Sequence, residues 1–68
     1  MDKLRLEYEM KRKGITVAEM CKILGMSVTT YYRKCNGETE FTLNEIKAIV
    51  DLLGLETATS IFFAEQVT

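Results

Sequence analysis

The chain has 68 residues, 47% hydrophobic and 28% charged, with a formal net charge of −1; this is the composition of one small folded domain over residues 1–68, not of a disordered or fibrous protein. There is no histidine, and the two cysteines, Cys21 and Cys35, are too few and too far apart for a zinc cage or a CxxC redox pair, so no metal, cofactor, small-molecule ligand or enzymatic activity is expected. No run of eighteen apolar residues is present to span a membrane, and the charged opening Met1-Asp2-Lys3 is unlike a secretory signal, which makes the expected location cytoplasmic.

The elements read in chain order are helices. Proline is absent, and four glycines, at 14, 25, 37 and 54, divide the chain into segments suited to short helices. The first helix is predicted from Asp2 to Lys13. Leu6 and Met10 share one face of it, Lys11-Arg12-Lys13 complement the C-terminal dipole, and Gly14 lies just past the end. Thr16-Val17-Ala18-Glu19 has the capping-box pattern and starts a second helix with Met20, Cys21, Ile23 and Leu24 as its apolar side, ended by Gly25. Ser27 is a good N-cap for a third helix from Val28 to Lys34 or Cys35, closed by Asn36-Gly37. Thr42-Leu43-Asn44-Glu45 is a second capping box, followed by Ile46, Ile49, Val50 and Leu53 at helical spacing up to Gly54. A last helix is predicted from Thr57 or Ala58 to about Glu65. No alternating strand pattern occurs, so the fold class is all-α with five short helices. A single core of this size supplies about 3–5 kcal/mol, so the helices must pack very well or a second chain must help.

Charge is unevenly distributed. Residues 1–37 hold eight basic and four acidic side chains, net +4, whereas residues 38–68 hold one basic and six acidic, net −5. A basic half beside an acidic half points to a polyanion-binding surface on the first, although the low overall pI of about 5.3 weighs against a strong nucleic-acid binder. Glu38, Glu40 and Glu45 lack a paired base and read as solvated surface.

The stretch from Thr16 to Gly37, TVAEMCKILGMSVTTYYRKCNG, resembles the helix-turn-helix of the lambda-repressor/Cro-like family of phage and bacterial transcription regulators, with the motif at about residues 16–35. The resemblance rests on compact Cys21 midway along the first motif helix and Gly25 at the turn. It continues through Met26, Ser27, inward-facing Tyr31 and the closing Asn36-Gly37. FTLNEIKAIVDLLGL, Phe41 to Leu55, resembles the family's fourth helix, and the likeness covers about residues 4–63. YYRKCNGETEFTLNEI is particularly similar to small repressor-type proteins of Gram-positive phages and integrated elements. Two departures stand out. Val17 occupies a position where the family commonly has a phosphate-bracing glutamine, and Lys34 stands where an inward aliphatic residue is usual.

The resemblance implies a compact five-helix domain that binds double-stranded DNA with the helix after Ser27. Val28, Thr29, Tyr32 and Arg33 are then the base-reading candidates, Arg33 through bidentate contact with guanine. Ser27, Thr30, Lys34 and Asn36 are candidates for phosphate, as are the backbone N–H groups near Thr16 and Val17. Lys34 would cover apolar surface with its stem while its ammonium reaches phosphate. Tyr31 is expected in the core with Met20, Leu24, Met26, Leu6, Met10, Ile46 and Ile49, and both thiols are expected buried and inert. Phe62 and Phe63 are adjacent and cannot share one narrow stripe, so Phe63, with Leu55 and Val67, is expected to form a homodimer contact, at least on DNA. The implied function is a Cro/repressor-type regulator that occludes a promoter at a pseudo-palindromic operator. The alternatives are a phage accessory or anti-repressor module that keeps the scaffold without reading DNA, and an antitoxin, for which no toxin-binding extension is evident.

Overall fold

A computed structural model describes residues 1–62. It contains five helices and no strand among those residues: α1 (Lys3–Lys13), α2 (Val17–Leu24), α3 (Val28–Cys35), α4 (Leu43–Leu53) and α5 (Leu55–Phe62). The all-α reading is correct.

Each of the first four helices starts at a side-chain cap. The Asp2 carboxylate accepts from the Arg5 N–H at 2.9 Å, and the Ser27 hydroxyl accepts from the Thr30 N–H at 3.2 Å. At α2 and α4 the capping boxes are complete, with Glu19 and Glu45 each reaching back to the N-cap backbone. Such caps are worth about 0.5–2 kcal/mol each, which matters in so small a domain.

The helix ends explain the tight helix-turn-helix. At the close of α2 the Gly25 N–H bonds the Lys22 carbonyl at 3.3 Å, and the Met26 N–H bonds the Cys21 carbonyl at 3.0 Å. This is the Schellman arrangement, and it needs one residue with positive φ. Gly25 supplies φ +69, a region that costs a side-chain-bearing residue about 1–2 kcal/mol. The chain therefore turns at once, brings Met26 onto the core and places Ser27 to start α3. The same bonding closes α3, where the N–H groups of Gly37 and Glu38 reach the carbonyls of Lys34 and Arg33.

Gly54 joins α4 to α5 with no intervening loop. Its N–H ends α4 on the Val50 carbonyl at 2.7 Å, and its own carbonyl accepts from the Ala58 N–H at 3.0 Å. The last helix thus begins at Leu55, earlier than the Thr57 or Ala58 expected, because a backbone carbonyl starts it and no capping side chain announces it. Its expected end near Glu65 lies outside the described residues.

Leu6, Met10, Met20, Cys21, Tyr31, Cys35, Ile49, Leu53 and Ile61 form the core. Leu24 and Met26 only partly enter it, Ile46 is half-buried, and Ile23 faces solvent instead of completing the apolar side of α2. The core on that helix is already closed by Met20 and Cys21. Edge-to-face rings run from Tyr31 to Phe41 (6.3 Å between centroids) and on to Phe62 (5.6 Å), linking α3 to α5. Phe62 is half-buried at the edge of the core; Phe63 and Val67 lie outside the described residues. The Asp2 N–H donates to the Ile61 carbonyl at 2.7 Å, which ties the N-terminus to the last turn of α5.

One buried carboxylate has no counterpart in the sequence reading. Glu9 is only 4% exposed, and it meets Arg12 at 2.8 Å and Arg5 at 3.2 Å. The hydrogen bond from Arg12, with the charges of both arginines, outweighs desolvation and holds the Glu9 carboxyl below its ordinary value of 4.5. Glu45 is also shifted down. Burial pulls its pKa upward, but hydrogen bonds from Lys34 and from Thr42 prevail. Both groups bind a proton more weakly folded than unfolded, so their contribution to stability is complete above pH about 4.5 and falls away as pH drops through the folded values. Thermal melts should therefore shift to lower temperature on acidification below that pH. The E9Q variant should show a shallower shift than the wild type, and an equal slope would remove Glu9 from the account.

Candidate nucleic-acid interface

Helix α3 divides its residues between two sides. Tyr31 and Cys35, one turn apart, are buried, with Tyr31 only 2% exposed. Desolvation pushes the Tyr31 hydroxyl pKa well up, and the hydroxyl donates to the Met10 Sδ at 3.3 Å, so this tyrosine is a neutral structural anchor. Cys21 and Cys35 are free, buried thiols whose pKa values burial raises, leaving the less reactive protonated form.

The opposite side of α3 carries Val28, Thr29, Tyr32 and Arg33, all exposed. Positions 28, 29, 32 and 33 recur at helical spacing and form one stripe. The Tyr32 ring packs edge-on against Tyr31 at 5.6 Å and has the Lys3 ammonium 5.8 Å from its centroid, so it is held in place while its outer edge stays open. No acidic side chain pairs with Arg33 among the described residues. The structure thus brings all four base-reading candidates onto one outward face.

The phosphate candidates fare differently. Ser27 and Thr30 are joined at the start of α3, the Ser27 hydroxyl donating to the Thr30 Oγ1 at 3.0 Å; Ser27 is exposed and Thr30 half-buried. The Asn36 Oδ1 accepts from the Lys3 ammonium at 2.9 Å, which adds a cation from α1 beside the end of α3. Thr16 is exposed, but its N–H is occupied by the Glu19 carboxylate at 3.3 Å. The Val17 side chain is half-buried against the core. What α2 can offer an anion is the backbone N–H of Val17 and of its neighbour Ala18.

Lys34 departs from expectation. Its ammonium turns inward to the Glu45 Oε1 at 2.8 Å and the Glu40 carbonyl at 3.1 Å, and it lies 5.9 Å from the centroid of the Phe41 ring. The stem does cover apolar surface, as expected, but the charge is consumed within the chain instead of reaching outward. Glu45 is correspondingly no solvated surface acid. With side-chain exposures of 12% and 19%, the pair joins the end of α3 to the start of α4.

A family model for the Cro/C1-type HTH DNA-binding domain matches residues 5–59. The chain belongs to this family. No curated protein matches it, and no solved structure does. As a Cro/C1-type domain it is a DNA-binding transcription regulator whose partner is double-stranded DNA, and the family is one of regulators, not an enzyme class. In this Cro/C1-type chain α2 and α3 are the helix-turn-helix, packed together over α1 and α4. Among the described residues no helix is long and apolar enough to cross a membrane, and no group of three or more His, Cys, Asp or Glu side chains is placed to hold a metal ion.

Proposed function

We propose that this domain reads a pseudo-palindromic operator as a two-fold pair and represses by occluding the promoter, in the manner of small phage or mobile-element repressors. The observation that carries the reading is the outward stripe of α3. Val28 and Thr29 present methyl groups suited to thymine, the Thr29 hydroxyl can bond a base or phosphate, and Arg33 presents two donors to guanine N7 and O6. Ser27, Thr30, Asn36 and the N–H groups at the start of α2 would position the helix through phosphates. Lys34 is left out, since Glu45 holds it. A body measuring 33 × 26 × 20 Å covers about one turn of duplex, and a pair covers two. That footprint supports steric exclusion of polymerase as the mechanism.

The two-fold pairing has support on the α4–α5 side. Leu43 and Leu55 are largely exposed there, and Lys47 and Asp51, one turn apart on α4, line the same shallow groove. A two-fold axis through this groove would bring Lys47 of each copy toward Asp51 of the other. Sedimentation in the presence of operator should show a dimer; K47D should weaken it, and K47D/D51K should restore it. A monomer on DNA in all cases would contradict the pairing.

The function itself is tested by selecting bound duplexes from a random pool and titrating the winner against scrambled DNA. A half-site repeated about one helical turn away, bound with affinity that falls steeply as salt rises, is expected. Flat, sequence-independent binding at physiological salt would defeat the reading and favour a protein-interaction module.

A further inference from the structure

Lys3 stands where the helix that carries it gains nothing from its charge. It is the first residue of α1, whose first turn contains no acidic side chain, and a cation beside the positive end of a helix dipole is unfavourable. The backbone around it is fixed: the Asp2 carboxylate accepts from the Arg5 N–H, and the Asp2 N–H is bonded to the Ile61 carbonyl at 2.7 Å. The Lys3 side chain crosses to α3. There its ammonium donates to the Asn36 Oδ1 at 2.9 Å, across 33 residues of sequence, and lies over the Tyr32 ring, 5.8 Å from the centroid. A placement that is poor locally and satisfied only by a distant element marks a residue held for function.

Both partners of Lys3 belong to the proposed DNA surface. The Tyr32 ring is oriented by the edge of Tyr31 at 5.6 Å and by the Lys3 ammonium. A cation over an exposed aromatic ring favours the contacting pose by about twofold to fivefold. For Asn36, the C-cap of α3, the bond engages the amide oxygen. The Nδ2 donor is then the end left for an acceptor, as a phosphate requires. Without Lys3 the amide can turn over and present its oxygen, which repels a phosphate.

We propose that Lys3 is a positioning residue for operator recognition: it holds the Tyr32 ring in its base-reading pose and fixes the Asn36 amide with its donor end free. Helix α1 thereby contributes to specificity without meeting a base. This role differs from that of a phosphate-binding lysine, whose loss weakens every duplex alike. The proposal rests on the preceding reading that α3 enters the duplex.

The test combines thermal melts with fluorescence-anisotropy titrations of the selected operator and of a scrambled duplex over a salt series. The variants are K3M, K3R, K13Q, Y32A and K3M/Y32A, with R33A as reference. K3M keeps the length of the stem but removes the charge and the donor. It should lower operator preference by about twofold to tenfold, while its melting temperature equals or exceeds that of the wild type. K3R keeps both contacts and should restore the preference. In the Y32A background, K3M should take nothing further from preference, leaving only the equal loss on both duplexes that follows from Asn36. K13Q removes an exposed charge from the other end of α1 and should leave preference unchanged. Equal weakening of both duplexes by K3M, with wild-type preference and a salt slope lower by about one, would make Lys3 an ordinary phosphate contact and overturn the proposal. A lower melting temperature with preference unchanged, the mark of a structural strut, would overturn it too. Either result, with R33A still erasing operator preference, spares the reading of α3. No operator preference in the wild type and no effect of R33A would overturn both.

Discussion

Replacing Leu6 with alanine should leave the domain largely unfolded at room temperature. Leu6 is fully buried where α1 meets the core residues of the helix-turn-helix and α4. Truncating a buried leucine costs about 2–5 kcal/mol through lost burial and the cavity left behind, whereas a chain of this size has only about 3–5 kcal/mol to lose. The cooperative thermal transition followed by circular dichroism should disappear or move to much lower temperature. Leu4, half a turn away but 76% exposed, provides the contrast: L4A should change stability by less than about 0.5 kcal/mol. An L6A protein that melts like the wild type would mean that the core is not where the packing of Leu6, Tyr31 and Ile49 places it.

The second large effect concerns selectivity and leaves the fold intact. R33A should reduce preference for operator over scrambled duplex by about fivefold to more than a hundredfold, the equivalent of about 1–3 kcal/mol for one bidentate arginine–guanine contact. Because Arg33 is exposed and pairs with no acid among the described residues, its removal should leave the melting temperature within a few degrees of the wild type. The competition titration separates two roles: a phosphate contact weakens both duplexes together, whereas a base contact weakens the operator alone. Unchanged selectivity in R33A would move the reading of bases to Thr29, Val28 and Tyr32.

Much of this architecture was legible because its signals are local. A capping box needs residues three apart, as at Thr16 and Glu19, and a glycine after an apolar helical stripe marks a turn, as at Gly25. The opposed fates of Tyr31 and Tyr32 follow from the angle of about 100° between successive helix positions. Interactions between distant residues were not legible. Lys34 meets Glu45 only because the loop after α3 folds α4 back beside it, and neither residue type signals the other over such a separation. Glu9 is buried because Arg5 and Arg12 fold over it, whereas an isolated glutamate on a charged helix reads as solvated. Ile23 sits at the margin of an apolar stripe, where periodicity cannot say which edge the neighbouring helices cover. The early start of α5 escaped for a different reason: Gly54 caps it with a backbone carbonyl, which every residue type possesses.

The central claim is that the exposed side of α3 enters the major groove. Amide chemical-shift mapping with isotope-labelled protein and the selected operator tests it most directly. The largest changes are expected at residues 28–33 and at Val17 and Ala18, with α4 and α5 responding only through pairing of two copies. Perturbations confined to α4 and α5, with residues 28–33 silent at saturating duplex, would contradict it.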